Sequence, residues 1–239
     1  MEVHHHGHPE GNKNWKSYFW EFLMLFLAVF AGFMAENFRE HQIEKARGIK
    51  YIRSFYNDLK TDSAEFAELI VIYEEKAKVF AKREECFDSL SGGSFNPCLG
   101  ELISKVSGFP DMVNADQTLL QLKNAGGLRL LGKADADSIL YYDKQVRIFL
   151  KFETTGFQER QYRIRELLYS ILNYKKLMLK KVDSNIPYFI TNEPEKINQF
   201  FVMLNEHANS ANIHLQDLKQ LYGEAIGLRN YFKNKYHFE

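Results

Sequence analysis

The chain has 239 residues, 45% hydrophobic and 15% aromatic, enough for one ordinary or two small packed domains and too apolar for disorder over most of its length. Its 31 Lys and Arg balance 31 Asp and Glu, so the basic field on which general nucleic-acid binding relies is missing. Two cysteines exclude a disulfide-dense scaffold or a four-Cys zinc site, and 14 Gly with 5 Pro are too few for a sandwich, barrel or repeated strand–helix fold; long helices are the default.

Residues 1–16 read as a polar, His-rich tail. His4, His5, His6 and His8 are weak candidates for binding zinc, nickel or copper, since a tail provides no supporting shell around its imidazoles. A solvated tail is the plainer reading, and no metal or cofactor is assigned. From Ser17 to Phe38 the chain reads SYFWEFLMLFLAVFAGFMAENF between Lys16 and Arg39, a helix of about 33 Å at about 1.5 Å per residue, long enough to cross a bilayer. Glu21 and Glu36 lie near its ends, Phe22 to Ala35 carry no charge, and Tyr18 and Trp20 sit where an interfacial belt would. A retained anchor is the reading adopted. The competing readings are a signal peptide cleaved near Val29-Phe30-Ala31, disfavoured by the weakly basic start and the apolar run beyond Ala31, and a buried core helix.

At about 100° per residue, Glu21, Ala28, Gly32, Ala35 and Arg39 share one direction on this helix. Small residues let helices approach closely in lipid, and a carboxylate on that stripe would face a partner; alternatively Glu21 reaches the headgroup layer. The stripe is the candidate transmembrane interface. Arg39, Lys45, Arg47, Lys50 and Arg53 after the span outnumber Lys13 and Lys16 before it, which favours a cytoplasmic C-terminal domain. Cys86 and Cys98 argue the other way if they form a disulfide, which belongs to an oxidising compartment, and are neutral if they are two buried thiols. The side stays open.

Beyond the span, residues 39–239 form the helical domain. A heptad seam holds its phase from Ile49 to Phe80 after a solvated neck in which nothing forces a break, so one helix is expected to about Leu90, the alternative being a fresh helix capped at Thr61-Asp62-Ser63 with Glu65. Residues 90–133 carry the breaks SLSGGSFNPCLG and Gly108-Phe109-Pro110, with Asn114 capping a short helix that ends at Gly126-Gly127; they read as a small helical cap. A second long helix is expected over Ala134 to Lys181, its side marked by Ile139, Tyr142, Val146, Phe149, Ile164, Leu168, Ile171 and Met178, with an irregularity at Thr154-Thr155-Gly156. After start signals at Asn192 and Pro194, a third carries Ile197, Phe201, Leu204, Ala208, Ala211, Leu215, Leu218, Tyr222 and Ala225. The expected fold is all-α: one N-terminal transmembrane helix continuous with an elongated antiparallel three-helix bundle and its cap. Asp183 to Glu193 would then return to the membrane-proximal end, where Tyr188, Phe189 and Ile190 close the core or touch headgroups.

The segment EFLMLFLAVFAGFMAENFREH (Glu21 to His41), the run from Lys50 to Asp62, and LLQLKNAGGLRLL (Leu119 to Leu131) resemble uncharacterised single-anchor membrane proteins of Bacteroidota. In that group a His-rich or basic tail precedes one span and a helical domain follows. The resemblance is strongest over Trp15 to Asp62 and implies a bacterial cytoplasmic-membrane protein with no enzymatic role.

The residues point the same way. His207 and His214, seven apart, have no carboxylate or Cys partner fixed by spacing and read as exposed surface. The doublets Glu74-Glu75 and Glu84-Glu85 read as solvated, paired with Lys78, Lys82 and Arg83. Gly126-Gly127 lacks a phosphate-loop context, and no HExxH, GxSxG, CxxC or kinase signature is found. The expectation is a non-enzymatic membrane-anchored scaffold or interaction protein. Its partners are the lipid bilayer and either further copies of itself or another membrane protein, with no nucleic acid; a small-molecule ligand is left unknown. A ligand-sensing signalling input module and an ion-linked assembly built on Glu21 are the alternatives.

Overall fold

The computed structural model of the chain describes residues 14–88, 97–108, 110–175, 189–191 and 193–239. The described residues are all-α. Helix α1 is Trp15–Ala81, followed by α2 (Arg83–Asp88), α3 (Pro97–Ser107), α4 (Gln117–Asn124), a 3-10 turn at Gly127–Leu130, α5 (Lys133–Phe152), a π-helical turn at Glu153–Gln158, α6 (Glu159–Ile171) and α7 (Pro194–Tyr236). Two compact units divide the chain, Met1–Ile49 and Lys50–Glu239.

In the first unit, α1 has a stretch long and apolar enough to cross a membrane, and none of that stretch is buried. Its phenylalanines stack on one another at helical spacing, Phe22 on Phe26 and Phe26 on Phe30, with ring centroids 6.3 and 6.0 Å apart. Arg39 closes on Glu36 one turn earlier, Nε to Oε2 at 2.9 Å.

The second unit is held by an apolar core in which Leu59, Phe66, Phe80, Leu122, Ile139, Phe157, Ile164, Leu204 and Phe232 are wholly enclosed. Each such side chain contributes about 1.5–3 kcal/mol relative to staying in water. Helix directions follow from the contacts. As α1 rises, its partners on α7 fall: Tyr56 donates to the Glu239 carbonyl at 3.3 Å, Glu74 pairs with Lys219 at 2.6 Å, and Arg83 reaches Asn205 at 2.7 Å. Against α5 and the π turn the partners rise together, Phe55 with Tyr142 and Tyr73 with Phe157. Helices α5–α6 therefore run parallel to α1, and α7 runs antiparallel to both.

This corrects the expected alternation of three rods, and the reason lies in residues 97–132. They are no cap. They travel back along α1: Lys76 donates to the Gly108 carbonyl, the Val113 N–H to Glu65 at 2.7 Å, the Ala115 N–H to Asp62 at 2.7 Å, and Gly127 lies against Tyr51. Leu102, Ile103, Val106, Met112, Leu119 and Leu122 line the inner side of this return and are buried, so it completes the core as a fourth layer. The connection after α6 is corrected with it. Gln161 of α6 meets Val106 and Arg160 meets Ser210, so the chain leaves α6 near Phe80 and Arg83, away from the Lys50 end; there Phe189 pairs with Leu172 in an isolated antiparallel bridge. At the Lys50 end, Asp135 in the first turn of α5 accepts from Tyr231, Lys235 and Tyr236 at 2.8, 2.7 and 2.6 Å and ties the start of α5 to the end of α7. Helix α4 starts after Asp116 where Asn114 was the expected cap, and α7 has Pro194 at its first position.

Candidate functional site

Of the residues singled out from sequence, Glu21, Ala28, Gly32, Ala35 and Arg39 all lie on α1 in the first unit, exposed to the surroundings. A Cβ added to Gly32 meets nothing within 4 Å. Cys86 of α2 and Cys98 of α3 are joined in a disulfide, with Cα atoms 5.5 Å apart. His4, His5, His6 and His8 lie outside the described residues, as do Met178 and Tyr188.

His207 and His214 are not surface residues. Both are fully enclosed, and the reason is the π-helical turn between α5 and α6. The Thr154 and Thr155 hydroxyls donate back to the Leu150 and Lys151 carbonyls at 2.9 and 2.7 Å, a pairing that loosens the helix ladder locally. The wide turn adds one residue to the apolar register. It turns Glu153 and Phe157 inward onto α7, where Phe157 stacks on His207 and His214 alike, with centroids 4.9 Å apart in each case. His214 also stacks on Phe149 at 4.4 Å and meets Tyr73 edge-on at 5.1 Å. Its Nε2 lies 3.8 Å from Glu153 Oε1, and neither ring nitrogen makes a hydrogen bond with the described residues.

Around this pair α1 contributes Tyr73 and Lys76, both buried. Burial, then the neighbouring Lys105 charge, pulls the Lys76 ammonium down to about 7. Burial also pushes the Tyr73 phenol up, helped by the Glu153 and Asp111 charges. Burial, with the Lys76 and Arg160 charges behind it, holds the His207 imidazole down to about 4. One lane of ionisable groups from three helices thus crosses the core at the π turn, a type of irregularity that recurs at functional sites. Among the described residues no three His, Cys, Asp or Glu side chains gather as metal ligands.

The lane is walled from solvent by Phe149 and Phe152, and the other side of those rings faces a cavity of about 230 Å³ between α5 and α7. Ile148 and Leu221 complete its apolar wall; Asp217 and Glu224 are its charged groups. A second depression of about 580 Å³ continues along the same two helices, with Tyr141 and Tyr231 at its edges, and Glu224 lines both. No protein-family model, curated protein or solved structure matches this chain. The chemistry of the site is thus its own guide: a carboxylate-bearing, aromatic-walled groove, backed by a lane of buried ionisable groups.

The sequence carried one signal for the π turn. The apolar series Ile139, Tyr142, Val146, Phe149 and the series Ile164, Leu168, Ile171 are one residue out of step, which is the insertion a π turn makes. The burial of both histidines had a marker as well, since Phe200, Leu204, His207, Ala211, His214, Leu218, Leu221 and Ala225 alternate four and three residues apart along α7, and reading the pair as surface passed over it.

Proposed function

We propose that this chain is a single-pass membrane-anchored helical interaction protein, with its Lys50–Glu239 domain on the oxidising side of a bacterial cytoplasmic membrane. The observation that carries the anchor is the apolar stretch of α1, none of which is buried among the described residues. A core helix of a soluble protein would be covered by its own fold, whereas Phe22, Leu25, Val29 and Phe33 are each about two-thirds exposed. The Cys86–Cys98 disulfide supports the side, since such bonds persist outside the reducing cytosol, and it outweighs the Lys and Arg count that favours the opposite orientation. The resemblance to single-anchor proteins of Bacteroidota supports the bacterial membrane. An interaction role fits the anchor, whose small-residue stripe supplies a face for a second copy or another membrane protein.

The test is fractionation followed by thiol mapping. The chain should stay with membranes through alkaline carbonate, and in intact cells Cys86 and Cys98 should react with a membrane-impermeant maleimide only after reduction. Release by carbonate overturns the anchor. Labelling only after the membrane is permeabilised overturns the assigned side, and labelling of intact cells without prior reduction overturns the disulfide on which that side rests.

A further inference from the structure

We propose that the Cys86–Cys98 bond is a site of reversible thiol–disulfide exchange with a small aliphatic thiol of the glutathione class, and that Cys98 is the sulfur that takes it. The inference uses the disulfide that supports the assigned side of the membrane, and it does not use the side itself.

The two halves of the bond are not equivalent. Cys86, in α2, is wholly enclosed, while Cys98, in the first turn of α3, is partly exposed. Exchange proceeds by attack of a thiolate on one sulfur of the bond, so access selects which sulfur is attacked. A thiol arriving from solvent reaches Cys98 and is kept from Cys86. Partial exposure also limits the size of the visitor, because a side chain set against a helix turn admits a slender thiol more readily than the surface of a protein. Local charge has the same sense. Cys98 follows Pro97 in an eleven-residue helix whose first turn carries no acidic residue, so the helix N-terminus favours an anionic sulfur there. Cys86 comes directly after Glu84 and Glu85 in α2, and burial with two carboxylates just before it favours the neutral thiol.

The bond can also open without dispersing its partners. Helix α2 is tied to α7 by Arg83, which donates to Asn205 Oδ1 at 3.0 and 2.7 Å. Helix α3 is held by Leu102 and Val106, both wholly enclosed, and by Gln161, which donates to the Val106 carbonyl at 3.3 Å. Neither attachment involves sulfur, so the two thiols stay within reach of one another and the bond can reclose. The chemistry balances. A thiolate attacks Cys98 Sγ, the Cys86–Cys98 bond breaks as a mixed disulfide forms on Cys98, and Cys86 leaves with the electron pair and takes a proton from water. A second thiolate then attacks the sulfur of the bound thiol, releasing a small disulfide and leaving Cys98 as the thiolate. The pair is thereby reduced and two small thiols are oxidised to one disulfide; in reverse, the Cys98 thiolate attacks that small disulfide and Cys86 closes the bond.

The experiment uses the full chain in nanodiscs with glutathione as the probe. Reduced glutathione is added to the disulfide-bonded parent at neutral pH, exchange is stopped with acid, and the adduct is located by fragment-ion mass spectrometry. It should sit on Cys98 in about tenfold or greater excess over Cys86. Glutathione disulfide should couple to the remaining cysteine of Cys86→Ser about tenfold or more faster than to that of Cys98→Ser, with circular dichroism confirming that both variants fold. The parent measurement needs no substitution, so the proposal stays testable if either variant folds poorly. It is overturned by an adduct on Cys86, by equal coupling rates in the two folded variants, by no adduct in either the parent or Cys86→Ser, or by a bond that glutathione opens only in urea.

Discussion

His207 and Asp62 are buried ionisable groups whose environments pull in opposite directions. His207 is held down to about 4, below its ordinary 6.5, so as pH falls from 6.5 to 4 the unfolded chain takes up a proton that the folded chain refuses. The stability present above 6.5 is lost through that window, by about 3 kcal/mol. Asp62 accepts from the Ala115 N–H and, at 2.8 Å, from the Tyr142 hydroxyl, yet burial still pushes its carboxyl up to about 6 from 3.8. The folded state binds that proton more tightly, so its contribution is full below 3.8 and is lost as pH rises through 6, again about 3 kcal/mol. Between pH 4 and 6 the two offset one another and the parent should be nearly flat. His207→Phe removes one partner, and its stability should rise by about 2 kcal/mol as pH falls from 6 to 4. Urea unfolding followed by circular dichroism reads this without interference from Trp15 and Trp20, which both lie on the first part of α1. A variant profile as flat as the parent's would refute the assignment.

Among the elements, two glycines mark breaks of different kinds. Gly126 ends α4 with φ of 64°, in the left-handed region, and a Cβ there meets no neighbour within 4 Å. Gly126→Ala should therefore cost only the backbone preference, about 1–2 kcal/mol, measured as a lower unfolding midpoint. Gly156 sits inside the π turn at negative φ, and its added Cβ would touch the Phe152 ring at 3.4 Å, an ordinary contact. Gly156→Ala should raise stability by about 0.5–1 kcal/mol, because it removes freedom from the unfolded chain and asks nothing new of the folded one. If both substitutions destabilise alike, the π turn depends on glycine in a way its backbone angles do not require.

For the whole molecule, two covalent-scale tests separate fold from assembly. The Cys86–Cys98 bond closes a loop of sequence separation 12, and replacing both residues by Ser should lower stability by about 3 kcal/mol through the entropy of the unfolded chain. Dithiothreitol should lower the parent by the same amount and leave the double variant unmoved. Gly32→Leu asks a different question. Since a Cβ at Gly32 meets no neighbour within 4 Å among the described residues, the larger side chain leaves the fold of those residues unstressed. If anchors pack through the stripe of Glu21, Ala28, Gly32 and Ala35, crosslinking in native membranes should fall sharply while insertion persists, an overpacking cost of about 1–3 kcal/mol. Equal yields in parent and variant remove the stripe as an interface.

The sequence by itself determined whatever depends on neighbours along the chain. The apolar run of Ser17 to Phe38, the seam through Ile52, Leu59, Phe66, Tyr73 and Phe80, the start of α7 at Pro194 and the stop at Gly126-Gly127 are local patterns of spacing and backbone preference, and the helices follow them. Even the π turn was foreshadowed by the irregularity at Thr154-Thr155-Gly156 and the one-residue slip across it. Only the tertiary structure decided the rest. The parallel course of α1 and α5 depends on residues 97–132 running back along α1, and short helices between turns carry no direction in their periodicity. The enclosure of Asp62 and Glu153, and the choice of the rings that surround His207 and His214, depend on groups brought from other helices, as does the placement of Glu224 between two depressions. A polar residue is buried when distant partners satisfy or surround it, and those partners are chosen by packing, which acts through space and leaves no fixed interval in the chain.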